Sequence, residues 1–427
     1  MKQITKKKLS KTFSWFNHNL IDKQPCYSED VKISLLSVGT EILLGDTVNT
    51  NLANLGQILY SNGYILNTEI TVSDIKEDIK KEFLKLLNEN DVVITCGGIG
   101  PTEDDFTKDV ISESLNLNLI LDTEHLNWMK SRWESRGLEM PLTNIKQAEL
   151  PDGAVKLINK NGTAPGIKIS TKENKTIFIL PGPPREFIPL VEEEVIPYLS
   201  NLFNKTNKDY DFIIFYNQAE SSLSEKITQF KPKNLDIAYL ASKGVIKLRY
   251  DKNSVEKDEL NLFLENINKN FQSDILSFEN ISPSKVLINK LQDRKLSISL
   301  VESITGGNLS SELIKYPGAS NFLIASNTLY TSQAKELFLG EQITDDWVSL
   351  TTKLAEKSIN LYNTDISLAI LGEAGPIPSS NYKIGEIFIS ITFEGKTTEL
   401  THHLRGSRQD IIERSVNNAI WDLLNII

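Results

Sequence analysis

Short apolar runs alternate with segments of helical apolar spacing along the chain from Val31 onward. The runs are typical of buried strands, and the spaced segments are typical of helices that cover a sheet. This alternation predicts a mostly parallel sheet with helices on its faces and places the first part of the chain in the α/β class. The predicted strands there are 33–38, 64–72, 92–94 and 176–180, and the predicted helical faces are Leu52, Leu55 and Leu59 and then Ile75, Ile79, Phe83 and Leu86.

A glycine-rich segment, CGGIGPTEDDFT at 96–107, follows the predicted strand at 92–94. Glycine lets the main chain approach a ligand closely and adopt positive φ, and a helix that begins near Thr102 would direct free N–H groups at an anion. Ligands of open α/β sheets bind at the carboxyl ends of strands. The segment therefore predicts a phosphate site built from backbone, with Gly97, Gly98, Gly100 and Thr102 as binding residues.

Asp104 and Asp105 are adjacent in this segment. A hard divalent cation takes oxygen ligands and shares them with substrate phosphates, so the two carboxylates are candidate metal ligands. The alternative is structural, because Thr102 and Asp105 have the spacing of a capping box and an acidic residue in the first helical turn complements the helix dipole. The local pattern leaves both interpretations open.

A second polar cluster closes the same predicted domain. Residues 161–166, NGTAPG, form a polar turn, and the strand at 176–180 runs into PGPPRE at 181–186. Prolines rigidify that loop, while Arg185 and Glu186 are a candidate phosphate partner and a candidate metal ligand. The same proline-rich segment is also typical of a simple end to a strand.

The rest of the chain predicts two further domains. Residues 201–282 read as a small α+β domain, with strands at 212–215, 236–240 and 245–250 and a helix at 255–271. In the last domain, 283–427, a strand at 296–301 ends in ESITGG at 302–307. Ser303 lies there beside glycines, where a nucleophile would meet an amide-lined pocket, although such a serine is also an ordinary N-cap.

Possible partners for Ser303 follow a further predicted strand at 322–330. Ser332 is predicted to cap a short helix that carries Lys335 and ends at Gly340. A lysine whose pKa is lowered by burial, or a tyrosine such as Tyr330 beside one, can take a proton from a serine hydroxyl. Taken alone, Lys335 would be a solvated surface residue.

Composition narrows the functional classes. The 427 residues carry a formal charge of −10, from 46 Lys and Arg against 56 Asp and Glu, so no global basic surface favours nucleic acid. Cys26 and Cys96 are the two cysteines and form no CxxC pair, which favours a reducing, cytoplasmic setting without a disulfide framework or zinc site. No apolar run reaches about 18 residues, which argues against a membrane span. The lysine-rich stretch 1–30 predicts a flexible extension, with an organellar transit segment as the alternative.

Two sets of motifs carry a family resemblance. SVGTEILLGDTVNTN at 37–51, GGIGPTEDDFTKD at 97–109, NGTAPG at 161–166 and LPGPPREF at 180–187 together resemble the competence/damage-inducible protein CinA family. ESITGG at 302–307, YTSQAK at 330–335, GEAGP at 372–376 and RGSR at 405–408 resemble the nicotinamide-nucleotide amidase domain of that family. The resemblance implies a three-layer molybdopterin-binding-like domain at 31–200, a small α+β middle domain at 201–282 and an α/β CinA C-terminal domain at 283–427.

The resemblance implies that the first domain cleaves ADP-ribose to AMP and ribose 5-phosphate with a divalent metal, Mg or Co. Asp105 would be the key carboxylate with Asp104 beside it, and Asp105 and Glu186 would be the metal ligands. The implied nucleotide-binding residues are Thr40, Glu41, Gly97, Gly98, Gly100, Thr102, Gly182 and Arg185.

The last domain would hydrolyse the carboxamide of nicotinamide mononucleotide without a cofactor. Ser303 is the implied nucleophile, and Tyr330 and Lys335 are its activating partners. The chain departs from the family at Ile304, Leu371, Glu373, 377–380 and Ser407, which puts substrate binding in doubt because Ile and Pro replace glycines in a nucleotide loop. The implied binding residues are Thr305, Gly306, Gly307, Gly372, Gly375 and Arg408.

Other interpretations stay open beside these. The chain could be a non-catalytic regulatory protein that binds a nucleotide or molybdopterin and carries a degenerate amidase domain, and a molybdopterin-processing role rests on fold analogy alone. The expected partners are small nucleotides and a second copy in a homodimer, with no membrane and no nucleic acid. His402 and His403 are expected on opposite sides of a strand. The pattern predicts that Trp128, Met129, Trp133 and Met140 serve packing.

Overall fold

The computed structural model describes residues 31–206, 208–216, 218–242, 244–378 and 381–427. The chain forms two compact units that divide between residues 207 and 208. The predicted extension at 1–30 lies outside the described residues. Within the described ranges, no helix has both the length and the apolar content that a membrane span needs.

The first unit is an α/β domain with helices on both faces of a sheet. Two short non-α segments interrupt it, a 3-10 helix at Leu142–Ala148 and a π-helical turn at Val191–Val195. The other elements are β1 (Ile33–Val38), α1 (Thr40–Leu43), α2 (Thr50–Ser61), β2 (Leu66–Val72), α3 (Lys76–Glu89), β3 (Val92–Cys96), α4 (Thr107–Ser114), β4 (Leu119–Leu121), α5 (Thr123–Glu134), β5 (Glu149–Pro151), β6 (Val155–Leu157), β7 (Gly166–Ser170), β8 (Thr176–Leu180), α6 (Pro184–Leu190) and α7 (Ile196–Leu202).

The six-stranded sheet has the order β2-β1-β3-β8-β7-β6. Its first four strands are parallel, and β7 and β6 are antiparallel to their neighbours. Helices α2, α6 and α7 pack on one face, and α3 and α4 pack on the other. The three-layer α/β fold is therefore confirmed. Burial on both faces explains why β1, β3 and β8 read as unbroken apolar runs.

The predicted helix start near Thr102 is wrong. Helix α4 begins at Thr107, and the residues before it form turns. The carboxylate of Asp105 accepts hydrogen bonds from the amide and the hydroxyl of Thr102, so it closes a turn rather than a helical end. The amide of Thr107 then bonds to the carbonyl of Gly98, which turns the chain into α4.

The second unit contains two sheets. A 3-10 turn lies at Lys252–Ser254 and another at Ala319–Asn321. The other elements are β9 (Tyr210–Tyr216), α8 (Glu220–Thr228), β10 (Ile237–Ser242), β11 (Val245–Asp251), α9 (Lys257–Phe271), β12 (Ile275–Ser277), α10 (Pro283–Arg294), β13 (Ile298–Glu302), α11 (Asn308–Ile314), β14 (Leu323–Thr328), α12 (Ser332–Leu339), α13 (Trp347–Tyr362), β15 (Ile366–Gly372), β16 (Glu386–Phe393), β17 (Lys396–His403) and α14 (Arg408–Ile426).

The first of these sheets is antiparallel, in the order β10-β11-β9-β12, and α8 and α9 cover one of its faces. The second has the order β14-β13-β15-β16-β17, with parallel pairing up to β15 and antiparallel pairing beyond it. Helices α10, α11 and α14 pack on one face of this sheet and α13 packs on the other. The α+β and α/β classes expected for these two parts of the chain are confirmed.

Two smaller predictions concern the N-cap of α12 and the directions of His402 and His403 on β17. The predicted cap Ser332 is wrong by one residue, because the Thr331 side chain accepts from the amide of Ala334 and caps α12. His402 and His403 both lie on β17 but have different partners, Asp422 at 2.7 Å and Glu386 at 3.7 Å. They therefore point to different sides of the strand, as expected.

Candidate functional site

A cleft of about 960 Å³ lies at the carboxyl edge of the six-stranded sheet. The loops that follow β1, β3 and β8 line it together with the turn at 161–164. Parallel strands end at the same edge, so motifs that lie far apart in sequence meet there. The lining residues that the sequence predicted are Glu41, Gly97, Gly98, Gly100, Thr102, Asp104, Asp105, Gly182, Arg185 and Glu186.

Thr40 does not line the cleft but holds a residue that does. Its amide and its hydroxyl each lie 2.8 Å from Oδ2 of Asp74. Asp74 lines the cleft and was missed in the sequence, because a single Asp after β2 carries no motif. Thr40 thus contacts a lining residue, and its predicted binding role stays a prediction.

Gly97 and Gly98 adopt positive φ, at 99° and 68°. A Cβ at residue 97 would overlap the carbonyl oxygen of Val38, and one at residue 98 would overlap the hydroxyl of Thr107. Only glycine fits at both positions, since these conformations also disfavour side chains. The backbone of this turn consequently forms a wall of the cleft directly.

The two predicted metal ligands, Asp105 and Glu186, both accept hydrogen bonds from the protein. Asp105 Oδ2 lies 2.8 Å from the amide of Thr102, so this carboxylate closes a turn, although no helix begins there as a capping box would require. Glu186 is buried, and its Oε2 accepts from Asn159 Nδ2 at 2.8 Å. A Cβ at Gly162 would overlap the same oxygen, so the absence of a side chain there leaves room for the Glu186 carboxylate.

Five acidic side chains line the cleft, but no three acidic, His or Cys side chains within the described ranges are grouped to hold a metal. Magnesium is usually held by one or two carboxylates, waters and substrate phosphates rather than by an all-protein cage. The donor set therefore fits a cation that a phosphate substrate helps to bind. Asp105 and Glu186 would hold it, and each accepts a hydrogen bond from a neighbouring side chain.

Asn51 joins three of the lining loops and was also missed. It is 7 % exposed, and its Nδ2 donates to Gly182 O at 2.6 Å and to Cys96 Sγ at 3.1 Å. Burial raises the pKa of the Cys96 thiol to about 12, so this group stays protonated at neutral pH. The Asn51 side chain thus holds the loops after β3 and β8 against the start of α2.

A small lobe forms the remaining wall of the cleft. It consists of α5, the 3-10 helix and the two-stranded sheet β4-β5, and it contributes Arg132, Trp133 and Arg136 to the lining. Lys146 of this lobe donates to the carbonyls of Thr102 and Asp105. Met129 is fully buried, as the packing prediction requires, whereas Trp133 is half-buried and lines the cleft.

Buried Lys108 fastens the lobe to α4. Its Nζ donates to the carbonyl of Glu149 at 2.8 Å and to that of Lys146. Burial lowers the pKa of Lys108 to about 8. The charge is therefore costly to bury, and the two carbonyl contacts offset part of that cost.

In the second unit, Ser303 follows β13 as predicted, and Glu302 before it organises the turn. Glu302 is fully buried, and although it opens the ESITGG motif, the sequence predicted no role for it. Its carboxylate accepts from Thr305 Oγ1 at 2.7 Å and from the amide of Gly307 at 3.1 Å. It also accepts from the amides of Leu309 and Ser310 at 3.0 and 2.9 Å. Two groups expected to bind phosphate, on Thr305 and Gly307, therefore donate to an internal carboxylate.

The two predicted partners of Ser303, Lys335 and Tyr330, differ in how far they are buried. Lys335 is 7 % exposed, burial lowers its pKa, and its Nζ donates to Tyr330 O at 3.1 Å. Tyr330 is 60 % exposed, and its hydroxyl accepts from Arg408 at 2.9 Å. Arg408 also donates to the carbonyl of Gly375, so it joins two of the predicted motifs. Across the described residues, the Ser303 hydroxyl makes no hydrogen bond to Tyr330 or Lys335.

The loop after β15 holds the remaining predicted glycines. A Cβ at Gly372 would lie 2.5 Å from Ile387 Cδ1, so close packing accounts for that glycine. The amide of Gly375 donates to Glu373 Oε1 at 3.3 Å, and Gly306 bonds through its amide to Ser303 O at 3.1 Å. The departures at Glu373 and Ile377 place a buried carboxylate and an exposed apolar side chain in this loop.

The first unit has the architecture and cleft of a molybdopterin-binding-type domain. Residues 34–201 match the family model described as "Probable molybdopterin binding domain", and residues 281–427 match the "CinA C-terminal domain". A CinA-like protein of Endomicrobium trichonymphae is 33% identical over 424 residues, which cover 92% of this chain and 98% of that protein. A CinA-like protein of Dictyoglomus thermophilum is 34% identical over 403 residues, covering 91% and 98%. The chain therefore belongs to the CinA family.

A solved structure of a CinA protein from Thermoplasma acidophilum is 33% identical. The match covers 39% of this chain and 98% of the Thermoplasma acidophilum chain, and its TM-score is 0.36.

Proposed function

We propose that the cleft of the first unit hydrolyses ADP-ribose between its two phosphates, with water and a divalent cation such as Mg²⁺ or Co²⁺, to give AMP and ribose 5-phosphate. The observation that carries the proposal is the convergence of the Gly97–Gly98 turn, the Asp105 carboxylate and Arg185 in one cleft of nucleotide size. Family membership supports the proposal. The four motifs by which the first unit resembles the family all contribute residues to this cleft.

The residues of the chain have distinct tasks in this proposal. The glycine turn brings backbone against the diphosphate, and Arg185 supplies a cation to its oxygens. Asp105, held by Thr102, either orients the attacking water or holds the cation. When bound, the cation would neutralise charge on the non-bridging oxygens.

The first test is chromatography of ADP-ribose after incubation with the full-length chain, with Mg²⁺ or Co²⁺ and with chelator. AMP should form only with metal, and Asp105→Asn should lower its rate by roughly 100-fold or more because a charge aimed at the reacting groups is lost. Asp152→Ala, at an exposed position outside the cleft, is the matched control and should keep full activity. Metal-independent turnover, or full activity of Asp105→Asn, would contradict the assignment.

The alternative is a non-catalytic protein that binds a nucleotide or a molybdopterin. It predicts that metal-free and metal-loaded chains bind ADP-ribose alike and that neither consumes it. Calorimetry beside the chromatography separates the two cases. Cytoplasmic location and a homodimer stay expectations, and light scattering of the purified chain tests the second.

A second candidate activity, hydrolysis of the carboxamide of nicotinamide mononucleotide, is favoured by one observation in the second unit. Burial lowers the pKa of Lys335, which favours the neutral amine that a general base needs. Ser303 would attack the carboxamide, and ammonia would leave before water releases nicotinic acid mononucleotide. Ser303→Ala should abolish the product and Ser311→Ala, at an exposed neighbouring serine, should not. No product from the unaltered chain, with ADP-ribose consumed, would mean that this domain lacks the amidase reaction.

A further inference from the structure

Trp133 is the one aromatic side chain among the described residues that line the cleft. It lies on α5, in the last turn of the helix, and is half-buried. The loops that line the cleft together with it carry glycine, carboxylate and arginine groups but no aromatic ring. The cleft thus has a polar part suited to phosphate and a single aromatic surface.

Trp128 on the same helix differs from Trp133, because both a ring and a cation of the protein lie against its indole. Its ring stacks on His125 at a centroid distance of 5.2 Å and an interplanar angle of 23°, and the Arg132 guanidinium lies 5.4 Å from its centroid. Throughout the described part of the chain, no ring or cation stacks on Trp133. Within the described ranges, its ring therefore has no aromatic or cationic partner, although the residue lines the cleft.

ADP-ribose, the substrate proposed above, combines a diphosphate with an adenine base. The glycine turn and Arg185 suit the diphosphate, which leaves the aromatic surface for the flat base. We propose that adenine stacks on Trp133, which makes this residue the determinant of the base in the substrate. The inference rests on the proposed function of the cleft and adds the group that selects an adenine nucleotide.

The test compares ligands that share only part of ADP-ribose. Calorimetry measures the binding of AMP and of ribose 5-phosphate to the full-length chain. The binding of ADP-ribose is measured in the same way with chelator present. Stacking on an aromatic ring is worth about 1–3 kcal/mol per base, so Trp133→Ala should weaken AMP and ADP-ribose binding by about 5- to 150-fold and leave ribose 5-phosphate unchanged. Trp133→Phe should restore most of the loss, and Trp128→Ala is the matched control on the same helix.

The outcomes distinguish a failure of the stacking role from a failure of the proposed hydrolysis of ADP-ribose. Unchanged AMP affinity in Trp133→Ala, with normal binding by the unaltered chain, would overturn the stacking role and leave ADP-ribose hydrolysis standing. Equal weakening of AMP and ribose 5-phosphate would also overturn it, because Trp133 would then only shape the cleft. No binding of any of the three ligands by the unaltered chain would overturn the proposed function and this inference together.

Discussion

At the scale of single residues, Glu302 shows how a buried charge is kept in a core. The carboxylate loses its hydration but gains five donors at hydrogen-bond distance, from Thr305, Gly307, Leu309, Ser310 and Ser326. Charge-assisted bonds of this kind are about twice as strong as neutral ones, so a full set offsets desolvation. The Ser303 turn therefore depends on a fully buried carboxylate.

We expect Glu302→Gln to destabilise the second unit by about 3 kcal/mol, because the new NH₂ group would face donors that the carboxylate now accepts from. Urea unfolding of the full-length chain measures the change. Glu341→Gln, which loses only an exposed ion pair with Lys353, is the control and should cost less than about 1 kcal/mol. Equal effects of the two substitutions would show that the Glu302 contacts contribute little.

Lys108 predicts a pH dependence with a definite sign. Its pKa is about 8 in the folded chain against its usual value of 10.5, so between these values the unfolded chain binds more protons. Stability contributed by this residue is therefore lost as pH falls through that window and recovered as pH rises. Relative to Lys108→Met, the unaltered chain should gain about 1–2 kcal/mol in urea unfolding between pH 7.5 and 9.5. A constant difference between the two chains would contradict the burial of a titrating amine.

The sequence revealed several residues that line the cleft, but not the positioning role of others. Asp105 and Glu186 follow strand ends, where ligands of such sheets bind, and both line the cleft. Asn51 and Asp74 act through partners that lie far away in sequence, Gly182 O and the Thr40 amide. Trp133 looked like a packing residue because helical spacing does not show what lies across from a helix.

At the scale of elements, the glycine turn after β3 is constrained by its neighbours rather than by its own propensity. Gly98 has φ of 68°, and a Cβ there would overlap buried Thr107. Gly98→Ala should cost at least about 2 kcal/mol and abolish ADP-ribose turnover, since strain and overlap add. Gly56→Ala, within α2 and with open space at its Cβ, should instead stabilise the chain by about 0.5–1 kcal/mol. Thermal unfolding compares the two, and similar melting shifts would contradict the constraint.

Element types were predictable where burial is two-sided. The expected strand at 92–94 is part of β3, and the one at 176–180 matches β8, because neighbours cover both faces of these strands. Helix starts were less predictable. Thr102 and Asp105 have the spacing of a capping box, and the Thr102 hydroxyl does donate to the Asp105 carboxylate, yet the main chain continues as turns until Thr107. Local spacing cannot separate these outcomes, since the Gly98 carbonyl decides where α4 begins.

On the largest scale, the second unit contains two sheets that share a helix. Trp421 of α14 stacks on Tyr216 of β9, with centroids 4.6 Å apart and planes at 28°. Ile214 and Val245 complete a small core on the face of the first sheet that α8 and α9 leave uncovered. The last helix of the chain thus packs on its own sheet and on the preceding one, which accounts for one compact unit with two sheets.

This contact predicts that the two sheets unfold together. Trp421→Ala should destabilise the second unit by about 2–3 kcal/mol and expose the segment between β12 and α10 to protease, because the first sheet loses its cover. A double-mutant cycle with Tyr216→Ala should give a coupling of about 1 kcal/mol, the usual worth of an aromatic pair. Trp421→Phe keeps a ring and should retain most of the protection. Additive single effects, or unchanged proteolysis in Trp421→Ala, would mean that the sheets are joined by other contacts.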